Sequence, residues 1–281
     1  TDAASVFNIL RSKNLNLKEN TASLLEMESG SNDPVSYMLT VILTAVLTGQ
    51  SVNIGSMLFF QVFFGIGCGV LFGKSTAVVL NQVDFDIAQG KTILVFAAIL
   101  AYTVPSMIGG NGYLSVYLCG IILGNSYLPH KRDMVLFFDV LTGVAQMMIF
   151  FLLGLLVTPS ELPQVILPSL VIMIFLTFVG RPVCVAALLA GFRSSKGQIG
   201  LVSWAGLRGV ASIVFAIYVV LRQVHLGYNL FNLVFCIVLL SISIQGTLLP
   251  WISAKFQMID ENADVRRTFN DYQEEESISF V

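Results

Sequence analysis

The sequence predicts an all-α polytopic membrane protein. Of its 281 residues, 56% are hydrophobic and only 11% are charged, and the mean hydropathy is +0.82. A soluble domain carries about 25% charged residues, because a surface in contact with water needs them. The apolar residues also form runs of about 20 or more, the length that a helix needs to cross a hydrocarbon core of about 30 Å. Closed barrels are the alternative in lipid, but these runs are too long and continuous for barrel strands.

The runs define nine helical segments in order along the chain. The first is partial, because its apolar stretch near 1–10 is too short for a full span. The runs 53–80 and 163–191 are longer than one straight span, so a tilt, a kink or a short interfacial helix is expected there. The eight candidate spans that follow the partial one lie near 21–48, 53–80, 92–109, 112–127, 134–157, 163–191, 197–221 and 228–254.

The connections between these runs predict the orientation. One set of alternate connections, with the C-terminal tail, holds twelve Lys and Arg, whereas the opposite set holds Arg222 alone. Positive loops stay in the cytoplasm, so the first set and the C-terminus are expected to be cytoplasmic, in the plasma membrane of a bacterium. The twelve residues are Arg11, Lys13, Lys18, Lys74, Lys91, Lys131, Arg132, Arg193, Lys196, Lys255, Arg266 and Arg267.

Two parts of different character follow from the composition. Residues 1–255 form the transmembrane domain, and residues 256–281 form an acidic tail that is expected to be a cytoplasmic linker. The chain begins at Thr1 without a methionine, which suggests a piece of a longer protein.

Several classes of partner and site are not indicated. The net charge of -2 gives no sign of a nucleic-acid partner. His130 and His225 lie far apart, which argues against a histidine metal site, and nothing in the sequence calls for a cofactor. The cysteines stand alone in apolar runs and are expected to be ordinary small side chains, namely Cys68, Cys119, Cys184 and Cys236.

A polar cluster interrupts the second run. A helix over 21–48 is about 42 Å long at about 1.5 Å per residue, which places Asp33 near the middle of the membrane. At about 100° per residue, Glu28, Ser29, Asn32 and Asp33 face one arc of that helix. Acidic groups inside a membrane are costly and therefore candidates for function. The alternative is a structural role, as a buried ion pair with a polar contact between helices.

Pro34 adds a second feature to this cluster. It has no N–H group, so the carbonyl of Gly30 loses its helical partner and a kink is expected. A kink, an unbonded carbonyl and hard oxygen ligands on one arc suit a small monovalent cation. Glu26 falls on the far side of the helix and is expected at the interface.

Two arginines lie inside the predicted spans. Arg208 stands between Gly206 and Gly209, so the helix is expected to be broken or closely packed there. A buried guanidinium needs a carboxylate, and a pair of Glu28 with Arg208 would neutralise both charges and leave Asp33 to titrate. Arg181 lies nearer the cytoplasmic end of its span, where snorkelling to the interface and a buried accessory role are both open.

Three stretches resemble the monovalent cation:proton antiporters of the NhaP type. They are Thr1-Asp2-Ala3-Ala4, then Glu28-Ser29-Gly30-Ser31-Asn32-Asp33-Pro34, and finally Gly206-Leu207-Arg208-Gly209. The similarity covers residues 1–255. The Gly-Ser-Asn-Asp-Pro version most resembles a bacterial subgroup of potassium/proton antiporters.

The resemblance implies an inverted-repeat fold in which two broken helices cross at a cation site. It implies a homodimer and places cation- and proton-binding roles on Asp33, Asp2, Asn32, Ser29 and Thr1. It also implies a buried pair of Glu28 with Arg208, electroneutral exchange of potassium or sodium for protons, and about five further helices before Thr1. The acidic tail resembles the linker that precedes a ligand-sensing domain in that subgroup.

Two other functions compete with cation exchange. A carrier of a small organic anion on a similar inverted-repeat fold would need positive charge at its site, whereas the cluster in the second run is acidic. An intramembrane aspartyl protease could use Asp2 and Asp33 as its two carboxylates, but it would leave Glu28, Arg208 and Asn32 without a role. The sequence therefore favours a transporter over an enzyme.

Overall fold

The computed structural model describes residues 2–13, 15–49, 53–83, 85–192, 194–224 and 229–260, and within these ranges it is helical with no strand. The helices are α1 (Ala3–Ser12), α2 (Thr21–Leu47), α3 (Ile54–Gln82), α4 (Ile87–Met107), α5 (Gly112–Gly124), α6 (Lys131–Leu156), α7 (Leu162–Phe175), α8 (Arg181–Leu189), α9 (Lys196–Trp204), α10 (Val210–Leu221), α11 (Leu230–Leu240) and α12 (Thr247–Lys255).

The prediction of an all-α membrane protein is confirmed. Five helical runs among the described residues are long and apolar enough to cross a membrane. The segment α2 also has the length of a span, but it carries the polar cluster from Glu26 to Asp33. Side chains of α6 are largely exposed, as expected of a helix that faces hydrocarbon. The five runs are Ile54–Gln82, Ile87–Met107, Lys131–Leu156, Pro159–Phe192 and Leu230–Lys255.

The predicted break near Arg208 is also confirmed. Helix α9 ends at Trp204, residues 206–209 are not helical, and α10 begins at Val210. In contrast, α2 is helical on both sides of Pro34, from Thr21 to Leu47. The kink expected at Pro34 stays a prediction.

Two of the long runs contain a π-helical turn just before a proline. Leu176–Gly180 joins α7 to α8 and precedes Pro182, and Ser241–Gly246 joins α11 to α12 and precedes Pro250. A proline cannot donate to the carbonyl four residues earlier, so the preceding turn widens to bonds five residues apart. Such wide turns often mark functional positions in helices.

The chain divides into two compact units. Among the described residues, the first unit comprises 2–13, 15–29, 156–192, 194–221 and 229–260, and the second comprises 30–49, 53–83, 85–155 and 222–224. The core of the first unit is formed by buried apolar side chains, which include Val6, Leu10, Leu25, Leu201, Leu207, Leu249 and Met258.

A glycine stripe packs α3 against α5 in the second unit. A Cβ at Gly69 would lie 2.7 Å from the carbonyl oxygen of Ser115, and a Cβ at Gly65 would lie 3.1 Å from that of Asn111. Gly73 is equally close to Ile122. These three glycines therefore allow close packing of the two helices, whereas Gly67 on α3 faces open space.

We expect Gly69→Ala to destabilise the protein and Gly67→Ala to leave it unchanged or slightly more stable. The Gly69 variant must displace the backbone of α5, a form of overpacking that costs about 1–3 kcal/mol. Alanine at Gly67 meets no neighbour and is the better helix former. The thermal midpoint of each variant in detergent, read by size-exclusion chromatography after heating, tests this. Equal midpoints for the two variants would contradict the packing described here.

Candidate functional site

Arg181 binds Glu28 through both of its terminal nitrogens. Its Nη1 donates to Glu28 Oε1 at 2.9 Å, and its Nη2 donates to Glu28 Oε2 at 2.7 Å. The two side chains are 11% and 30% exposed, respectively. This fork-to-fork geometry is the strongest form of an arginine–carboxylate contact and neutralises the carboxylate. Both residues belong to the first unit.

The predicted pairing of Glu28 with Arg208 is therefore wrong in its partner. The role falls to Arg181, which the sequence had left between an interfacial and an accessory position. Arg208 is half-buried and lies close enough to Glu28 and Arg181 to interact electrostatically with both. Sequence spacing could not discriminate between the two arginines, because both follow Glu28 by more than 150 residues.

The stem of Arg181 explains the first glycine of the break. A Cβ at Gly206 would overlap the Cδ and Nε atoms of Arg181, so the arginine passes directly over this position. Its Nε donates to the carbonyl of Val202 in α9 at 3.0 Å. One side chain on α8 thus contacts α2, α9 and the segment 206–209.

Asp2 explains the second glycine of the break. Its carboxylate occupies the space that a Cβ at Gly209 would take. The Asp2 backbone N–H donates to the carbonyl of Leu207 at 2.9 Å. The start of α1 therefore crosses the broken segment at close range.

The Asp2 carboxylate also caps α1. It accepts the Ser5 backbone N–H at 3.2 Å and the Ser5 hydroxyl at 2.7 Å. The carboxylate thus acts as an N-cap, since the first N–H groups of a helix lack internal partners. The cap and a cation-binding role are compatible, because a carboxylate has two oxygens and about four acceptor positions. Thr1, the other predicted ligand at this end, lies outside the described residues.

The wide turn after α11 satisfies the polar groups exposed by the break. The Arg208 backbone N–H donates to Ser241 Oγ at 3.1 Å, and that hydroxyl donates to Gln245 Oε1 at 2.6 Å. The indole of Trp204 donates to the Gln245 carbonyl at 3.1 Å. Ser241 and Gln245 are fully buried. Sequence reasoning missed this trio, although a Ser and a Gln four residues apart before a proline were a usable signal.

The predicted ligands on α2 are half-buried. Ser29 belongs to the first unit, whereas Asn32 and Asp33 belong to the second. Asp33 lies within electrostatic range of Tyr113 on α5. The ring of Tyr113 packs between Tyr37 at 5.0 Å and Tyr102 at 5.3 Å, measured between ring centroids. Glu26 is exposed, and its interfacial position stays a prediction.

Asn111 fastens α2 next to Asp33. The Asn111 side chain donates to the carbonyl of Pro34 at 2.8 Å, and its oxygen accepts the N–H of Leu114 as the N-cap of α5. Asn111 is fully buried. Its backbone N–H donates to the carbonyl of Gln61 on α3 at 3.1 Å. Three helices of the second unit therefore meet at the level of Pro34.

Two buried side chains in this region have no hydrogen-bond partner among the described residues. They are Gln61, through both amide atoms, and Ser115, through its hydroxyl. An unsatisfied buried polar atom costs about 1–3 kcal/mol, so binding of a water molecule or another polar ligand next to these side chains would be favourable. No group of three or more His, Cys, Asp or Glu side chains that could hold a metal ion occurs in the described ranges.

The chain is similar in sequence to bacterial potassium/proton antiporters. The chain is 36% identical over 250 residues to the K(+)/H(+) antiporter NhaP of Alkalimonas amylolytica, which covers 88% of this chain and 43% of that protein. It is 35% identical over 252 residues to K(+)/H(+) antiporter NhaP2 of Shewanella baltica, with the same coverage. The chain thus spans less than half the length of these relatives.

The fold is also shared with a solved structure. The sodium proton antiporter MjNhaP1 of Methanocaldococcus jannaschii matches with a TM-score of 0.77 over 91% of this chain and 68% of that one, at 23% sequence identity. Residues 1–255 match the family model described as sodium/hydrogen exchanger, transmembrane. The chain therefore belongs to the sodium/hydrogen exchanger family.

Proposed function

We propose that the protein containing this chain exchanges a monovalent cation, potassium or sodium, for protons across a bacterial plasma membrane. The observation that carries the proposal is membership of the exchanger family over residues 1–255, in a chain whose helix α2 carries acidic side chains inside an apolar run. The relatives from Alkalimonas and Shewanella are named potassium/proton antiporters, and a 27% identical Synechocystis relative is named a low-affinity sodium/proton antiporter. These names support a cation substrate and leave both ions open.

In this proposal Asp33 is the group for which proton and cation compete. A carboxylate half-buried in a helix binds either ligand, and each excludes the other because both neutralise the same charge. The resemblance to the NhaP-type antiporters implies four further ligands, namely Asn32, Ser29, Asp2 and Thr1. Protonation of Asp33 releases the cation, and cation binding releases the proton.

Exchange follows because only a neutralised site crosses the membrane interior at low cost. An ionised carboxylate costs about 2.5–3.5 kcal/mol at the centre of a bilayer on insertion scales. Asp33 bound to a proton or a cation avoids that cost, whereas empty, ionised Asp33 does not. The pair of Glu28 with Arg181 serves a separate role, since its charges already cancel and it holds α2, α8 and α9 together.

The proposal also covers the orientation of the protein in the membrane and its assembly. The excess of Lys and Arg in alternate connections supports a cytoplasmic C-terminus. The resemblance supports a homodimer in which lipid surrounds the exposed apolar helices. It also supports a role for the tail after residue 255 as a cytoplasmic linker. The organic-anion carrier is disfavoured because α2 carries acidic groups in the middle of its length.

Asp33→Asn is expected to abolish exchange while the protein remains folded. The amide keeps the size of the side chain but neither ionises nor releases a proton. Addition of potassium, sodium, lithium or choline to vesicles that hold the full-length protein and a pH-sensitive dye measures the exchange. Asp139→Asn is the matched control, because it makes the same chemical change at an exposed position of α6.

Two outcomes would contradict the proposal. Full exchange by the Asp33 variant would reject this residue as the shared site. No response of the unmodified, correctly inserted protein to any cation would reject cation exchange and return the organic-anion carrier to consideration.

Arg181→Leu is expected to destabilise the protein more than Arg208→Leu does. Loss of Arg181 strands the Glu28 carboxylate, and breaking a buried pair costs about 3–5 kcal/mol, an upper bound here because Glu28 is 30% exposed. The thermal midpoints of the two variants in detergent measure the difference. Glu28→Gln combined with Arg181→Leu should recover part of the loss, since it removes the stranded charge. A larger loss in the Arg208 variant would contradict the pairing in the structure.

A further inference from the structure

Asn111, the residue before α5, has a partner for each of its polar atoms. Its backbone N–H donates to the carbonyl of Gln61 at 3.1 Å, and its own carbonyl accepts the N–H of Ser115 at 3.1 Å. In the side chain, Oδ1 accepts the N–H of Leu114 at 3.1 Å, and Nδ2 donates to the carbonyl of Pro34 at 2.8 Å. Only this orientation of the amide gives its oxygen to a donor and its nitrogen to an acceptor. The fully buried side chain is therefore held in one position.

The base from which Asn111 reaches α2 is rigid. A Cβ at Gly65 would lie 3.1 Å from the Asn111 carbonyl oxygen, so the backbones of α3 and α5 are in close contact at this level. The N–H of Gly110 donates to the carbonyl of Pro105 at 2.7 Å, which closes the turn between α4 and α5. Packed interiors of this kind resist small displacements. Asn111 therefore presents its Nδ2 donor to α2 from a fixed position.

The hydrogen bond to Pro34 lies between two further contacts of α2 with α5. A Cβ at Gly30 would overlap the ring of Tyr117, so this ring lies directly on the α2 backbone. The rings of Tyr37 and Tyr113 are in contact, with 5.0 Å between their centroids. Gly30, Pro34 and Tyr37 are four and three residues apart, so they lie on one face of α2. Three successive turns of α2 are thus held from the same side, and all these residues belong to the second unit.

Pro34 is the residue at which α2 needs such an external contact. Proline has no N–H, so the carbonyl of Gly30 loses its partner four residues later, and this turn has one internal hydrogen bond fewer. Asp33 directly precedes Pro34 in that turn. Around the helix axis it lies about 60° from Gly30 and about 40° from Tyr37, at the edge of the face that contacts α5, and it is within electrostatic range of Tyr113. A shift of α2 relative to α5 would therefore displace the Asp33 carboxylate as well.

We propose that Asn111 is a positioning residue for Asp33. By its hydrogen bond to the Pro34 carbonyl, it fixes the turn of α2 that carries the Asp33 carboxylate, and it thereby sets how tightly this carboxylate binds the transported cation. Binding sites need their ligands held to within about 0.5 Å, which neighbouring side chains achieve. Asn111 is not itself a ligand, because its amide oxygen and nitrogen are occupied by Leu114 and Pro34. The inference rests on the proposed exchange function, whereas the hydrogen bond itself does not.

Asn111→Ser separates the two roles of the side chain. Serine is also a favourable N-cap, so its hydroxyl keeps the bond to Leu114, but it reaches one bond less far and loses the Pro34 carbonyl. In vesicles that hold the full-length protein, the concentration of potassium or sodium that gives half-maximal exchange is expected to rise about fivefold, the size of effect that one hydrogen bond has. The maximal rate is expected to change little, because the exchanging carboxylate is intact.

Asn53→Ser is the matched control. Asn53 caps α3 in the same way, since its Oδ1 accepts the N–H of Ser56 at 3.2 Å, but it is exposed. The same change there should leave the half-maximal concentration as in the unmodified protein. An equal rise in both variants would overturn the proposal, because the effect would then come from a weakened helix cap and not from the lost bond to Pro34.

A second variant covers the case in which Asn111→Ser does not fold. Asn111→Thr also keeps an N-capping hydroxyl and fills more of the space that the amide leaves. Size-exclusion chromatography in detergent shows which variants fold. The rise in thermal midpoint on addition of potassium or sodium chloride then measures cation affinity without transport. Both variants are expected to need about fivefold more cation for the same rise.

Failure of this inference and failure of the proposed function give different results. If a folded variant keeps the half-maximal concentration of the unmodified protein, the Pro34 contact does not set cation affinity and the role of Asn111 is rejected alone. If neither variant folds, Asn111 is a structural residue and the proposed role is rejected as well. Absence of exchange in the unmodified protein would reject the proposed function, and the role of Asn111 with it.

Discussion

The first unit depends on the contacts that the guanidinium of Arg181 makes. It binds both oxygens of Glu28 on α2, the carbonyl of Val202 on α9, and passes over Gly206 in the broken segment. An arginine suits this position because its planar fork offers several donors in a fixed geometry, which a lysine does not. Glu28 thereby has a structural role in this unit.

Much of the remaining local structure follows from making room for charged groups at the break. Each glycine of the Gly206-Leu207-Arg208-Gly209 segment lies against a charged side chain from elsewhere in the unit, Arg181 on α8 in one case and Asp2 before α1 in the other. The backbone groups that the break exposes find partners at Asp2 and at Ser241. A non-helical segment inside a membrane protein is stable only when its polar groups are satisfied in this way.

The sequence predicted the features that depend on local chemistry. The apolar runs and the break between Gly206 and Gly209 each follow from residue type and spacing. The partner of Glu28 did not, because two arginines had the same chemistry and no spacing rule reaches across 153 residues. The polar contacts of Ser241 and Gln245 were missed because two such residues in an apolar run carry no charge to draw attention.

The long separation of Glu28 and Arg181 has a consequence for biosynthesis. Helix α2 emerges from the ribosome well before α8 exists, so its carboxylates enter the membrane without the arginine that later neutralises one of them. A lone acidic residue lowers the tendency of a segment to insert. Glu28 can therefore form its pair with Arg181 only after α8 has been synthesised. The order in which the helices are made thus becomes a constraint on how this membrane protein assembles.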